Sequence, residues 1–227
     1  ITGSVAEIWD TLSSQEKSNE IYKMWKPKAV TDLYEPGSVF KTITSSIALE
    51  EGITDTDIEN NFNCTGSVYF EGESRPINCW KLAGHGHQTL REALENSCNP
   101  AFIALGQAIG SKTSYKYYEA FGFFDKTGIQ LPGEPKSGIF YSDVNDIKTI
   151  ELAVMSFGQR FTITPNQMIT AVSAIANDGV LLQPQIVDKI TNTDTGEVTT
   201  FDTKVVRQVL SKETADKVAS MMESVVY

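Results

Sequence analysis

The sequence predicts an α+β protein that is rich in helix, and three observations predict it. Apolar residues recur at helical spacing in several segments that carry recognisable caps. Two shorter β-rich stretches flank turn residues and read as hairpins. The composition is that of a folded chain: 227 residues, 41% hydrophobic and 21% charged, with ample material for a core.

Taken in order, residues 6–24 carry polar and apolar side chains at helical spacing. Pro36-Gly37 marks a turn. The apolar run behind it, residues 39–49, is closed by Gly52 and reads as a helix that starts at or near Ser38. Residues 51–83 are loop-rich, with a hairpin around 68–70 and 77–80. Residues 89–95, 101–110 and 113–121 read as helices, and Pro100 suits the first turn of the second. Thr164-Pro165-Asn166-Gln167 is a capping box with proline at the first helical position, which predicts a helix to about residue 177. Residues 186–193 and 197–201, joined through Asp194-Thr195-Gly196, read as a hairpin. Ser211 caps a last amphipathic helix with Ala215, Val218, Ala219 and Met222 on one face.

The chemistry of the chain is concentrated in two short motifs. Ser38-Val39-Phe40-Lys41 puts a hydroxyl and an amine one helical turn apart, so that Lys41 can reach back to Ser38. Ser97-Cys98-Asn99 adds a second hydroxyl and an amide. A serine needs a base to become a nucleophile. A lysine can be that base only if burial or a neighbouring positive charge lowers its pKa. The free N–H groups of the helix start favour a developing oxyanion. Either motif alone has a plain structural reading: a capped helix with a surface lysine, and an N-cap. Together they fit a serine acyl enzyme with a lysine base.

The wider pattern resembles the transpeptidase domain of class B penicillin-binding proteins, the division and sporulation branch in particular. The residues that carry the resemblance run from about Trp25 to the end of the chain. They are Tyr34-Glu35-Pro36-Gly37-Ser38-Val39-Phe40-Lys41, Gly84-His85-Gly86, Asn96-Ser97-Cys98-Asn99-Pro100, Phe121-Gly122-Phe123, Thr127-Gly128-Ile129, Leu131-Pro132-Gly133-Glu134 and Ser156-Phe157-Gly158-Gln159. The resemblance implies the penicillin-recognising fold, an all-α subdomain beside an α/β subdomain with the site at their junction. It implies a D,D-transpeptidase acting on peptidoglycan stem peptides. Ser38 is then the nucleophile, Lys41 its base and Ser97 a proton relay to the leaving D-alanine. Asn99 holds the donor peptide's amide and Lys41. β-Lactams are expected to acylate Ser38. A glycan-polymerising membrane partner is implied, and a catalytic domain outside the cell membrane on an N-terminal anchor. A β-lactamase, a β-lactam sensor domain and a non-catalytic cell-wall scaffold stay open as other readings.

The family's third motif, K-T-G, is expected on a strand beyond Tyr227. Lys126-Thr127-Gly128 and Lys136-Ser137-Gly138 spell the pattern but lack the β-rich flanks of an edge strand, and read as turns. Residues 1–35 are expected to form a lead-in, and 36–227 a transpeptidase domain without its C-terminal active-site strands.

The remaining signals concern partners and metal. A net charge of −10 argues against nucleic acid and anionic membrane as partners. No 18-residue apolar run or signal peptide is visible. Cys64, Cys79 and His85 crowd a loop-rich segment and suit a structural Zn2+ ion, with His87 or Asp57 as a fourth ligand. A Cys64–Cys79 disulfide and two buried thiols are the alternatives. Cys98, inside the second motif, reads as a packing residue.

Overall fold

The computed structural model describes residues 4–135 and 144–226. It opens with α1 (Ser4–Ile8), a 3-10 turn (Trp9–Thr11), α2 (Ser14–Trp25) and α3 (Lys28–Thr31). Leu12 and Ser13 interrupt the helix expected over 6–24, because Ser13 forms a capping box with Glu16 and restarts the chain as α2.

A 3-10 turn (Gly37–Phe40) leads into α4 (Lys41–Glu50). Every residue of α4 from Lys41 to Ala48 is buried, so the helix has no solvent stripe. It packs against the later helices α5 (Leu90–Glu95), α6 (Asn99–Ile109), α7 (Ser111–Ala120), α9 (Pro165–Ala176) and α10 (Lys212–Ser224). Between α7 and α9 stands α8 (Thr149–Met155), which packs on α6. An aromatic cluster closes the N-terminal end of α4. The Phe40 ring lies 4.7 Å from that of Phe161, 5.3 Å from Tyr118 and 5.4 Å from Phe123. Truncating such a buried phenylalanine costs about 3–5 kcal/mol.

The strands form two-stranded antiparallel pairs. β1 (Phe62–Cys64) pairs with β4 (Gly86–Gln88), and β2 (Ser67–Val68) with β3 (Ile77–Asn78). β5 (Val180–Leu182) pairs with β8 (Val205–Gln208), and β6 (Lys189–Thr191) with β7 (Val198–Thr200). Both expected hairpins are present, in shorter form. The capping box at Thr164 starts α9 as expected. In α10 the buried stripe is Thr214, Ala215, Val218 and Met221, while Ala219 faces solvent. The buried Thr214 hydroxyl accepts from Ser211 Oγ at 3.0 Å, and its backbone N–H donates to the same Ser211 oxygen in the cap.

Lys126-Thr127-Gly128 lies in a loop, outside helix and strand. The Glu134 carboxylate accepts from Thr127 N–H, Thr127 Oγ1 and Gly128 N–H. Thr127 Oγ1 in turn accepts from Asn166 Nδ2. Lys136-Ser137-Gly138 lies outside the described residues. Among the described residues no helix is long and apolar enough to cross a membrane.

Candidate active site and thiol cluster

Ser38 is placed by backbone. Gly37 has φ +59, and its N–H donates to the Gly158 carbonyl at 2.8 Å. Glu35 accepts from Arg160 N–H, and Tyr34 bridges to Ile163, so the segment before Ser38 is laced to residues 158–163. The result leaves Ser38 exposed at the start of the 3-10 turn, where the first N–H groups lack intrahelical partners. From the buried side, Thr44 Oγ1 donates to the Ser156 carbonyl at 2.7 Å.

Lys41 is fully buried and its amine meets three oxygens: Ser97 O at 2.7 Å, Asn99 Oδ1 at 2.8 Å and Ser97 Oγ at 2.9 Å. Ser97 Oγ lies 2.9 Å from Ser38 Oγ. The sequence placed Lys41 against Ser38 directly. Instead the second motif stands between them, and Ser97 links the two. Burial lowers the Lys41 pKa to about 8, with the nearby Cys98 and Cys79 thiols acting in the opposite sense. The rings of Phe102 and Phe157 stand 5.4 and 5.9 Å from Nζ.

The donor inventory constrains the proton positions. A carbonyl and an amide oxygen only accept, whereas a hydroxyl also donates. A neutral Lys41 therefore spends its two N–H bonds on Ser97 O and Asn99 Oδ1, and its lone pair is left for Ser97 Oγ–H. Asn99 is oriented to suit, since its Nδ2 donates to the Asn78 carbonyl at 3.1 Å. Ser97 itself is held at φ +47, a left-handed conformation uncommon outside glycine.

Beside this site Cys64, Cys79, His85 and Cys98 bring their ligand atoms within 4.8 Å of one another. The fourth member is thus Cys98. His87 is on β4 opposite Asn63, and Asp57 is engaged by Arg91 at 2.9 Å. Cys98 escaped the sequence reading because it sits inside the second motif, where packing was the simpler role. The spatial signal lies in the β1–β4 and β2–β3 pairings, which fold Cys64 and Cys79 back onto the N-terminal end of α6. The three thiols are free. A set of three sulfurs and one imidazole suits structural zinc. His85 Nδ1 lies 3.6 Å from Cys79 Sγ, and its buried Nε2 has no hydrogen-bond partner. Burial, then the Lys81 and Lys41 charges, lower the His85 pKa and favour the neutral ring that ligates metal. Burial pushes the Cys98 thiol up to about 12. At Cys64 burial raises the pKa too, but hydrogen bonds from the His85 and Gly66 backbone and from the Cys98 and Cys79 side chains together outweigh it, and the net shift is downward.

Comparison with known proteins follows the same lines. The sequence model of the family described as the penicillin binding protein transpeptidase domain matches residues 7–227. Stage V sporulation protein D of Bacillus subtilis (strain 168) is 36% identical over 219 residues, 96% of this chain and 33% of that protein. Peptidoglycan D,D-transpeptidase MrdA of Acinetobacter baumannii is 31% identical over 169 residues, 70% of this chain and 24% of that protein. The chain thus spans a third or less of the length of these two relatives. The D,D-transpeptidase domain of a peptidoglycan glycosyltransferase from Eggerthella lenta superposes with a TM-score of 0.82 at 28% identity, covering 96% of this chain and 55% of that one. Penicillin binding protein 3 of Mycobacterium tuberculosis, solved in complex with ampicillin, gives a TM-score of 0.78 at 29% identity, covering 88% of this chain and 43% of that one.

Proposed function

Because this chain belongs to the penicillin-binding protein transpeptidase family, we propose that it is the serine acyl-transfer part of a peptidoglycan D,D-transpeptidase. Residues 36–227 carry the reaction and residues 1–35 lead into it. The observation that carries this reading is the hydrogen-bonded line from Ser38 Oγ through Ser97 Oγ to the buried amine of Lys41.

In this reading the Ser38 proton moves to Ser97 Oγ while the Ser97 proton moves to neutral Lys41. The freed Ser38 oxygen attacks the carbonyl carbon between the two terminal D-alanines of a stem peptide. The Ser38 N–H supplies one donor to the resulting oxyanion. As the C–N bond breaks, Lys41 returns its proton through Ser97 to the departing D-alanine nitrogen. An amine of a second stem peptide then attacks the ester, and the Ser38 hydroxyl is restored. A β-lactam follows the same first step, but its leaving end remains attached and blocks the acceptor. A β-lactamase or a sensor domain would share that step. The lifetime of the acyl enzyme separates a lactamase from the rest, and loss of function in Ser38→Ala separates an enzyme from a scaffold. The reading places the domain outside the membrane, on an anchor, beside a glycan-polymerising partner, in sporulation or division.

The thiol cluster is read as a structural Zn2+ site held by Cys64, Cys79, His85 and Cys98. When bound, the metal would fix the loop between the first and second motifs. Catalysis needs nothing from it, since nucleophile and base are already present.

The test is mass spectrometry of the full-length protein after treatment with penicillin. The adduct is expected on the peptide that contains Ser38. An adduct elsewhere, or none, overturns the assignment.

A further inference from the structure

Ser97 is the point on which the proposed proton path turns, and its backbone is strained. Its φ of +47 lies in the left-handed region that L-residues avoid. Such a conformation persists only where the surroundings over-determine it.

The two peptide planes that flank Ser97 show how this is done. In the plane between Ser97 and Cys98, the Ser97 carbonyl accepts from Lys41 Nζ at 2.7 Å and the Cys98 N–H donates to Ala93 O at 2.9 Å. In the plane between Asn96 and Ser97, the Ser97 N–H donates to Leu94 O at 2.9 Å. The carbonyl end of that plane is Asn96 O, and it accepts from the indole Nε1–H of Trp80 at 2.7 Å. Each plane is thereby held at both ends, which fixes both backbone dihedrals of Ser97.

Three of those four anchors come from groups needed for other reasons: two carbonyls in or beside α5, and the base itself. Trp80 is different. It is 67% exposed, so it contributes little to the core. Its ring meets His85 edge-on at 5.4 Å, and its one donor is spent on the turn that carries Ser97.

We infer that Trp80 is a positioning residue for the acyl-transfer reaction: it clamps the Asn96 carbonyl and so holds the Ser97 hydroxyl on the line between Ser38 and Lys41. This rests on the role proposed above for Ser97. Trp80 touches no reacting atom. Without the clamp, the Asn96–Ser97 plane is free to rock, and Ser97 Oγ spends less time in line.

The experiment is a double-mutant cycle in the full-length protein. Pseudo-first-order rate constants for acylation by a β-lactam are measured for the wild type, Trp80→Phe, Ser97→Ala and the double variant. Protein that is misfolded and does not refold lowers the labelled amplitude rather than the rate constant. Phenylalanine keeps the ring and removes the donor. Trp80→Phe is expected to slow acylation roughly three- to tenfold, the range for one lost hydrogen bond. In the Ser97→Ala background the same change is expected to slow it no further. An unchanged rate for Trp80→Phe, or an equal loss in both backgrounds, overturns the inference while leaving the reading of Ser97 intact. Acylation of Ser97→Ala at the wild-type rate removes Ser97 from the proton path, and the inference falls with it.

Discussion

Gly158 and Gly37 meet backbone to backbone. A Cβ on Gly158 would stand 2.1 Å from the Gly37 carbonyl oxygen, and Gly158 itself has φ +81. The contact is the strut that fixes the turn entering Ser38, and neither chain has a flexible side chain to withdraw. Gly158→Ala is therefore expected to destabilise the protein by roughly 2 kcal/mol or more and to slow β-lactam labelling of Ser38. Chemical denaturation and labelling kinetics check the two effects. Wild-type stability in the variant would show that this backbone yields freely.

Lys41 sets the expected pH dependence. Its active form as a base is neutral, and burial brings its pKa down to about 8. Acylation should rise as the pH climbs through about 8 and level off above it. The stability effect has a definite sign. An unfolded lysine keeps its proton to about 10.5 and the folded one only to about 8, so the unfolded state binds more protons between those values. The destabilising contribution of Lys41 is full below about 8 and fades as the pH rises towards 10.5. Lys41→Arg keeps a charge that does not leave, and should cut acylation by about a hundredfold or more. A near-normal rate in that variant would take the role of base from Lys41.

The thiol cluster predicts stoichiometric zinc in protein purified without added metal. Chelation should lower the melting temperature and slow acylation together, because Cys98 lies between Ser97 and Asn99 and Cys79 adjoins Asn78. Cys79→Ser should bring the metal content close to zero. Metal should also be released as the pH falls, since the ligands bind zinc in their deprotonated forms. Protein that is free of zinc, with a disulfide among these cysteines, would refute the site.

What could be read from the sequence was what local spacing encodes. Ser38 and Lys41 lie three residues apart across the 3-10 turn that runs into α4, and Ser97 and Asn99 two apart at the entry to α6, so each pair is legible by itself. Their meeting is not, because it depends on how α4 and α6 pack. Lys41 accordingly reaches Ser38 by way of Ser97, which no spacing along the chain announces. Cys64, Cys79 and His85 were readable from their crowding in a segment poor in regular structure. Cys98 was hidden by its place inside a motif with a role of its own. The β1–β4 pairing joins short, widely separated strands of mixed polarity, which periodicity does not detect. The Ser211 cap predicts the last helix, but Ala219, expected on its inward face, lies on the exposed side, being small enough to sit on either.

The enclosure of α4 reaches into the time domain. Residues 41–48 are walled in on every side, whereas α2 has no buried residue and the β6–β7 hairpin is wholly exposed. Local openings begin where little is buried, so α2 and that hairpin should exchange their amide protons early. The amides of α4 should be among the last to take up deuterium, with protection approaching that of global unfolding. The helix that carries the base would then have no partly open form of its own. The proton line at Ser38 would persist or vanish with the fold as a whole, and hydrogen exchange followed by mass spectrometry reads this directly. Early uptake across residues 41–48 would show a site that breathes independently of its core.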